Sequence, residues 1–332
     1  MCPMLPSSRI ASILTVCAGA AMAVWGGLAP QIIDYDARMP VDLENTTLTI
    51  SDSSATTRLI NDGRQLTVGV NRQFHAELLP PVDDDTVTAR VGLTDSRVSN
   101  QDDLNRLISA SVWSYSFDRT TGEATSQATV NNQLASEDET VDVNGLWVKF
   151  PSDAEQTTYQ VFDPVLRDSA PAVFQDSSEQ DGRTIYRYHQ EISPTNVAER
   201  YSSVFNTIDV TSSSDGSSDS AESDADTSTQ AYLYHSGTRD YYVDQVTGLI
   251  VNVEENIDDY YGDKDGNKLE QALLFDGQGS QEQTDALIAQ AATVHDGHVA
   301  RIVNYVVLAV GILLAILGLA GTFGIFKRKR TL

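Results

Sequence analysis

The sequence predicts a mainly β (α+β) antiparallel ectodomain set between an N-terminal and a C-terminal transmembrane helix. Three observations carry this. Two long apolar stretches, 10–29 and 302–326, contain no charged residue, and about 20 apolar residues of helix cross a bilayer core. Between them lie many short segments that alternate with period two, the pattern of half-buried strands. With 41% hydrophobic residues over 332 positions, the chain holds enough apolar material for a packed core.

The charges set the topology. The first segment follows a short N-terminus, 1–9, whose one charge is Arg9, and the second is followed by the tail 327–332 with Lys327, Arg328, Lys329 and Arg330. Basic flanks mark the cytoplasmic side, so both termini are expected in the cytoplasm and region 30–301 outside a cell membrane crossed twice. Taking those five cations from the 22 Lys+Arg leaves 17 basic residues against 47 acidic ones between the spans. Such an excess of acid excludes nucleic acid as a partner, because phosphate backbones need a basic face. The first segment also reads as a signal peptide cleaved after Ala23, with Ala21-Met22-Ala23 as the site; the retained anchor and the cleaved leader both stay open. Cys2 and Cys17 lie in the N-terminal region, so the body between the spans is held by its core and not by disulfides.

Both spans carry small residues at helical spacing: Gly19, Ala23 and Gly27 on the first, Gly311 and Ala315 on the second. Small faces let helix backbones approach closely in lipid, so the spans are expected to pack against each other or against copies in a homo-oligomer.

Within 30–301, strands are expected at 86–91, 127–131, 146–150, 184–189 and 231–235, each with β-branched or aromatic residues at alternate positions. The body is expected to be sandwich-like. In 146–150, Leu146, Val148 and Phe150 fall on one face, Trp147 and Lys149 on the other. Two hairpins share the pattern Tyr-x-apolar-Asp-x-x-Thr-Gly: Tyr115-Ser116-Phe117-Asp118-Arg119-Thr120-Thr121-Gly122 and Tyr241-Tyr242-Val243-Asp244-Gln245-Val246-Thr247-Gly248. The Asp bonds the backbone of its own turn and the Gly supplies positive φ. Phe162-Asp163-Pro164 begins a similar turn without the Thr-Gly. The pattern is either an internal repeat or one good hairpin used twice. Region 211–230 is Ser- and Asp-rich with no aromatic or large aliphatic residue, a solvated, disordered insertion within one domain. A short helix is expected over 100–109, and a stalk-like helix from about 280 to 301, continuous toward the second span and weakened at Gly297.

The chemistry is sparse. There is no nucleophile elbow, zinc-protease motif or phosphate-binding loop, and no catalytic, cofactor or metal residues are assigned. His295 and His298 sit three apart but lack further ligands. Asp263-Lys264-Asp265-Gly266-Asn267 begins like a calcium loop, yet Lys268 and Leu274 occupy the expected Gly and Glu positions, so it reads as a surface turn.

The run Gly145-Leu146-Trp147-Val148-Lys149-Phe150-Pro151, with Glu155, Tyr159 and Phe162-Asp163, resembles a signature of the PorA-type family of actinobacterial membrane proteins. So do Asp181-Gly182-Arg183-Thr184-Ile185-Tyr186-Arg187-Tyr188 and Tyr242-Val243-Asp244-Gln245-Val246-Thr247-Gly248-Leu249-Ile250-Val251. The motif positions so carried are Lys149, Pro151, Glu155, Tyr159, Asp163, Asp244, Thr247 and Gly248. The resemblance implies an actinobacterial cell-envelope protein, its name implies a porin, and it transfers no catalytic residue. The Ser/Asp insertion is a departure from it.

The expectation is therefore a non-enzymatic, membrane-anchored envelope protein whose ectodomain binds or scaffolds an envelope lipid, glycan or protein. The alternative is a porin-like channel subunit formed by oligomerised helices.

Overall fold

In a computed structural model, residues 7–32, 37–60, 62–98, 103–131, 137–211, 228–294 and 297–323 are described. They form two compact units, one of the two terminal helices and one spanning 38–294.

The helical unit consists of α1 (Ser7–Ile32) and α4 (His298–Thr322), both long and apolar enough to cross a membrane. Helix α1 runs past Pro30, beyond the expected end at 29. Helix α4 begins four residues before the expected start at 302, on Gly297, whose left-handed backbone caps it. Ser12 meets Gly321 and Gly26 meets Asn304, so the helices run antiparallel. The backbones are in near contact: a Cβ on Gly19 would lie 2.7 Å from Gly311 O, and one on Gly311 would lie 2.8 Å from Gly19 O and 2.5 Å from Ala23 N, while Ala315 backs onto Gly19. Gly27 does not join this seam, since a Cβ there would meet only Leu308 Cδ1 at 3.8 Å; Gly26, seven residues from Gly19, takes the third place. A left-handed pair repeats every seven residues, so Gly26 follows the seam and Gly27 turns off it. The side chain of Arg9 and residues Lys327, Arg328, Lys329 and Arg330 lie outside the described residues.

The second unit is built on antiparallel strands: β1 (Thr47–Arg58), β2 (Gln65–Val82), β3 (Thr86–Arg97), β4 (Leu107–Asp118), β5 (Ala128–Asn131), β6 (Glu139–Val141), β7 (Thr158–Asp163), β8 (Asp168–Gln180), β9 (Arg183–Asn196), β10 (Thr207–Thr211), β11 (Ser228–Asp244), β12 (Ile250–Gly262) and β13 (Lys268–Gly279). They form one sheet in the order β6-β5-β4-β3-β2-β1-β13-β12-β11-β9-β8-β7, with β10 paired to β11 off this path. A two-sheet, sandwich-like body is thus replaced by a single continuous sheet. The sheet is rolled. Trp113 on β4 lies 5.8 Å from Phe162 on β7, and Glu139 on β6 binds Arg167, beyond β7, at 2.5 Å. Strand bulges, including those in β1 opposite β2 and β13, raise local twist and help a sheet curl.

Several local expectations change. Segment 146–150 makes only isolated bridges, Leu146 with Val161 and Lys149 with Leu249, and all five of its residues are buried. It is covered on both sides, so the expected alternation of faces does not apply. The helix expected at 100–109 is reduced to α2 (Asp103–Arg106), because Leu107 and Ser109 pair with Ser96 and Asp95 of β3. Tertiary strand pairing overrides a weak helical pattern. The stalk is two helices: α3 (Gln281–Thr293) is capped by Ser280 and ends at Val294, inside the β unit. Its Leu287 and Ile288 pack with Ile185 and Val251. Residues 212–227 of the acidic insertion lie outside the described residues, but β10 and β11 on either side pair with each other, so it joins neighbouring strands of one unit.

Candidate functional site

A cavity of about 1060 Å³ lies within the β unit, at the upper end of ligand-site volumes. One wall is aromatic. Trp147 touches four rings: Trp113 and Phe162 at 5.2 Å, Tyr115 at 5.7 Å and Phe74 at 6.0 Å. These rings come from β2, β4 and β7, so one side chain on the 146–154 segment ties the sheet's two ends together. Leu48, Ile50, Leu93, Leu233, Val253 and Leu273 extend the apolar lining.

The other wall is ionic. Arg72 on β2 pairs with Asp95 on β3 at 3.0 Å and with Glu255 on β12 at 3.2 Å. Glu255 also binds Arg239 on β11 at 2.6 Å, and Arg239 reaches Asp163 on β7 at 2.5 Å. His235 donates through Nδ1 to Asp259 at 2.6 Å, while its Nε2 stands 3.3 Å from Asp163 Oδ2, in ion-pair range without hydrogen-bond geometry. Burial opposes the charges of Arg72, Arg239, His235, Asp163 and Glu255, and their partners overrule it. Burial would lower the His235 pKa, but Asp259 and Asp163 hold it up at about 9. Burial would raise Asp163, yet Arg239 and His235 hold it well below the usual carboxylate range. Glu255 is likewise held low by Arg72 and Arg239 against the effect of burial. Buried charges persist only when so paired. At neutral pH three cations face four carboxylates, a wall that is nearly self-neutralised.

The motif positions singled out in the sequence assemble a clamp beside the cavity. The Asp118 and Asp244 turns grip the 146–154 segment. Phe150 N donates to Gly248 O at 2.8 Å, Ser152 N to Thr120 O at 2.9 Å, and Asp153 N to Val246 O at 3.0 Å. Lys149 is fully buried and donates through Nζ to Arg119 O at 2.8 Å, Thr120 O at 2.7 Å and Ser152 Oγ at 3.1 Å. Both turn glycines sit against the 146–154 segment: a Cβ on Gly122 would lie 2.5 Å from Lys149 O, and one on Gly248 would strike Phe150 O and lie 2.5 Å from Pro151 O. Asp244 Oδ1 accepts from Thr247 N and Oγ1 at 2.9 and 2.7 Å, and Arg183 binds both Asp244 oxygens. Glu155 is held by its backbone, its N–H donating to Tyr159 Oη at 3.0 Å and its carbonyl accepting from Tyr188 Oη at 2.7 Å.

The third turn completes a set. Asp163 Oδ1 accepts from Leu166 N at 2.7 Å, and four residues after the Asp the backbone turns left-handed, as in the other two. Gly122 has φ 78°, Gly248 has φ 71°, and Arg167 has φ 54°. Arg167 therefore stands where its sister turns carry glycine.

Of the motif positions, Asp163 backs the ionic wall through Arg239, while Lys149, Pro151, Glu155, Tyr159, Asp244, Thr247 and Gly248 build the clamp. The residues that sequence reasoning missed are Arg72, Asp95, Arg167, His235, Arg239, Glu255 and Asp259. The strand parity of Arg239, two residues from Tyr241 on one face, was the available signal. Among the described residues, no group of His, Cys, Asp or Glu is placed to hold a metal ion.

The chain matches the family described as Porin PorA over residues 11–320. No curated protein matches it.

Proposed function

The chain belongs to the PorA porin family, and from that premise we propose a non-enzymatic membrane protein of the cell envelope whose β unit binds an envelope lipid in the cavity of its rolled sheet. Both termini face the cytoplasm and the β unit faces outward in this reading, following the basic flanks at Arg9 and 327–330. The observation that carries it is the cavity itself: about 1060 Å³, with one aromatic and aliphatic wall, on a unit joined at both ends to helices apolar enough to span a membrane. Such a volume suits a long apolar molecule, and a membrane is the nearest source of one.

The family name suggests a pore. A membrane β-barrel needs an apolar belt facing lipid. The exposed side of β8, β9 and β11 instead carries Arg187 bound to Asp176 and Asp240, with His189 on Asp240. That favours a sheet in water. The test is native mass spectrometry of the full chain extracted in mild detergent. A co-purifying lipid is expected, and Leu93→Trp, which adds bulk to the cavity lining, lowers its occupancy. Unchanged lipid occupancy in that variant, together with steady conductance of the wild type in planar bilayers, overturns the proposal in favour of a channel.

A further inference from the structure

We infer that Arg167 reads the head of the cavity's ligand, and that this ligand is an acyl-chain amphiphile whose carboxyl oxygen, free or esterified, accepts a hydrogen bond from Arg167 Nε. The inference rests on the cavity reading above and adds the ligand's chemistry.

Arg167 lines the cavity and its side chain is only 11% exposed. Its orientation is fixed from two directions. The guanidinium lies 3.6 Å from the ring centroid of Tyr201, a cation–π stack, and Nη1 binds Glu139 at 2.5 Å. Its Nε is buried and has no hydrogen-bond partner. A buried donor left unpaired is a penalty that an oxygen acceptor removes. Of the cavity's other arginines, Arg58 pairs with Glu270 at 2.8 Å, Arg72 with Asp95 and Glu255, and Arg239 with Asp163 and Glu255, while Arg90 is exposed to water.

The backbone points the same way. A non-glycine residue in the left-handed region is disfavoured, and the two sister turns use glycine there. At Arg167 the side chain is kept against that preference, and an observed conformational outlier of this kind marks a functional position.

The surroundings select the head group. Glu139 already neutralises much of the Arg167 charge, and the ionic wall holds more carboxylates than cations. A doubly charged phosphate would meet that excess of negative charge. A carboxyl group, singly charged or neutral as an ester, meets less repulsion and still offers the acceptor. The aromatic wall at Trp113, Trp147 and Phe162 then takes the chain.

The test uses the full chain in membranes and three photoreactive probes of equal chain length: a diazirine fatty acid, its methyl ester and the corresponding hydrocarbon. Labelled peptides are mapped by mass spectrometry. The acid and the ester are expected to label peptides carrying Trp113 or Trp147 at least fivefold more than the hydrocarbon. Arg167→Gly gives this turn the residue of its sisters, its folding is checked by circular dichroism, and in the folded variant both probes fall to the hydrocarbon level. Arg167→Asn, which also tolerates the left-handed conformation, serves as the second variant. Equal labelling by acid, ester and hydrocarbon in the wild type, or unchanged labelling in folded Arg167 variants, overturns the inference and leaves the cavity reading standing. Absence of cavity labelling by any probe overturns both.

Discussion

Trp113 and Phe162 stand 5.8 Å apart, edge to face, although their strands are third from one end and last at the other in the sheet order. Their meeting is mediated by Trp147, which touches both rings at 5.2 Å. The ring of contacts makes the 146–154 segment a keystone of the sheet's curl.

Trp147→Ala removes that keystone. Loss of a buried Trp costs about 3–5 kcal/mol, and the ring pairs it forms add to its burial. Denaturant unfolding of the purified chain, followed by circular dichroism, should show a shift of this size. A shift below about 1 kcal/mol would mean that the two ends hold together without it.

Lys149→Met keeps the stem and deletes the ammonium. Arg119 O and Thr120 O then lose their buried donor, and each unsatisfied acceptor costs about 1–3 kcal/mol. The expected result is a lower denaturation midpoint and faster proteolysis within the Asp118 turn.

Two glycines separate steric from conformational cost. Gly248→Ala would drive a Cβ into Phe150 O and should destabilise by about 3 kcal/mol or more, as overpacking and backbone strain combine. Gly182 also has positive φ, 75°, but open space around its Cβ position. Gly182→Ala should cost only about 1 kcal/mol. Equal losses in thermal melts would refute the close approach at Gly248.

Stability should depend on pH through His235 and Asp163. The His235 pKa is raised to about 9 from 6.5 in the folded chain. Its contribution is full below about pH 6.5 and is lost as pH climbs through 9, with a magnitude on the order of 3 kcal/mol. Asp163 is held low, so its contribution is present above its ordinary pKa near 3.8 and fades on acidification. Midpoints measured from pH 4 to 10 should therefore fall on the alkaline side, and His235→Gln should flatten that limb.

The helical hairpin is open to crosslinking. Gly321 lies against Ser12 in the antiparallel pair, so Ser12→Cys with Gly321→Cys should form an oxidative crosslink in membranes. Ser12→Cys with Asn304→Cys should not. Gly19→Leu with Gly311→Leu adds bulk where backbones touch and should reduce the crosslink several-fold.

Much of the architecture was legible because it is written in local pattern. Uncharged stretches marked both helices, and period-two alternation marked β3, β5, β9 and β11. The Asp-x-x-Thr-Gly turns were legible as turns because Asp and Gly each do a local job. What was hidden depends on residues far apart in the chain. Arg239 and Asp163 are 76 positions apart, and nothing in either neighbourhood names the other. Parity shows which side of a strand is apolar but not how far a sheet curls, so the rolled form and its cavity were invisible. Arg167 escaped because a left-handed arginine has no compositional mark; only the equal spacing from Asp163 hinted at it. In the sequence Gly297 marks a weak point within one helix, whereas in the structure α3 ends at Thr293 and Gly297 caps the start of α4.

The pairing of β1 with β13 has a consequence for biogenesis. Residues 47–58 find their second neighbour only after residues 268–279 have been made. Until then a nascent chain holds two half-sheets with bare edges, and the hollow between them does not exist. Joining waits for that strand, so a chain cut short before it would offer those edges to proteases and to other unfinished copies.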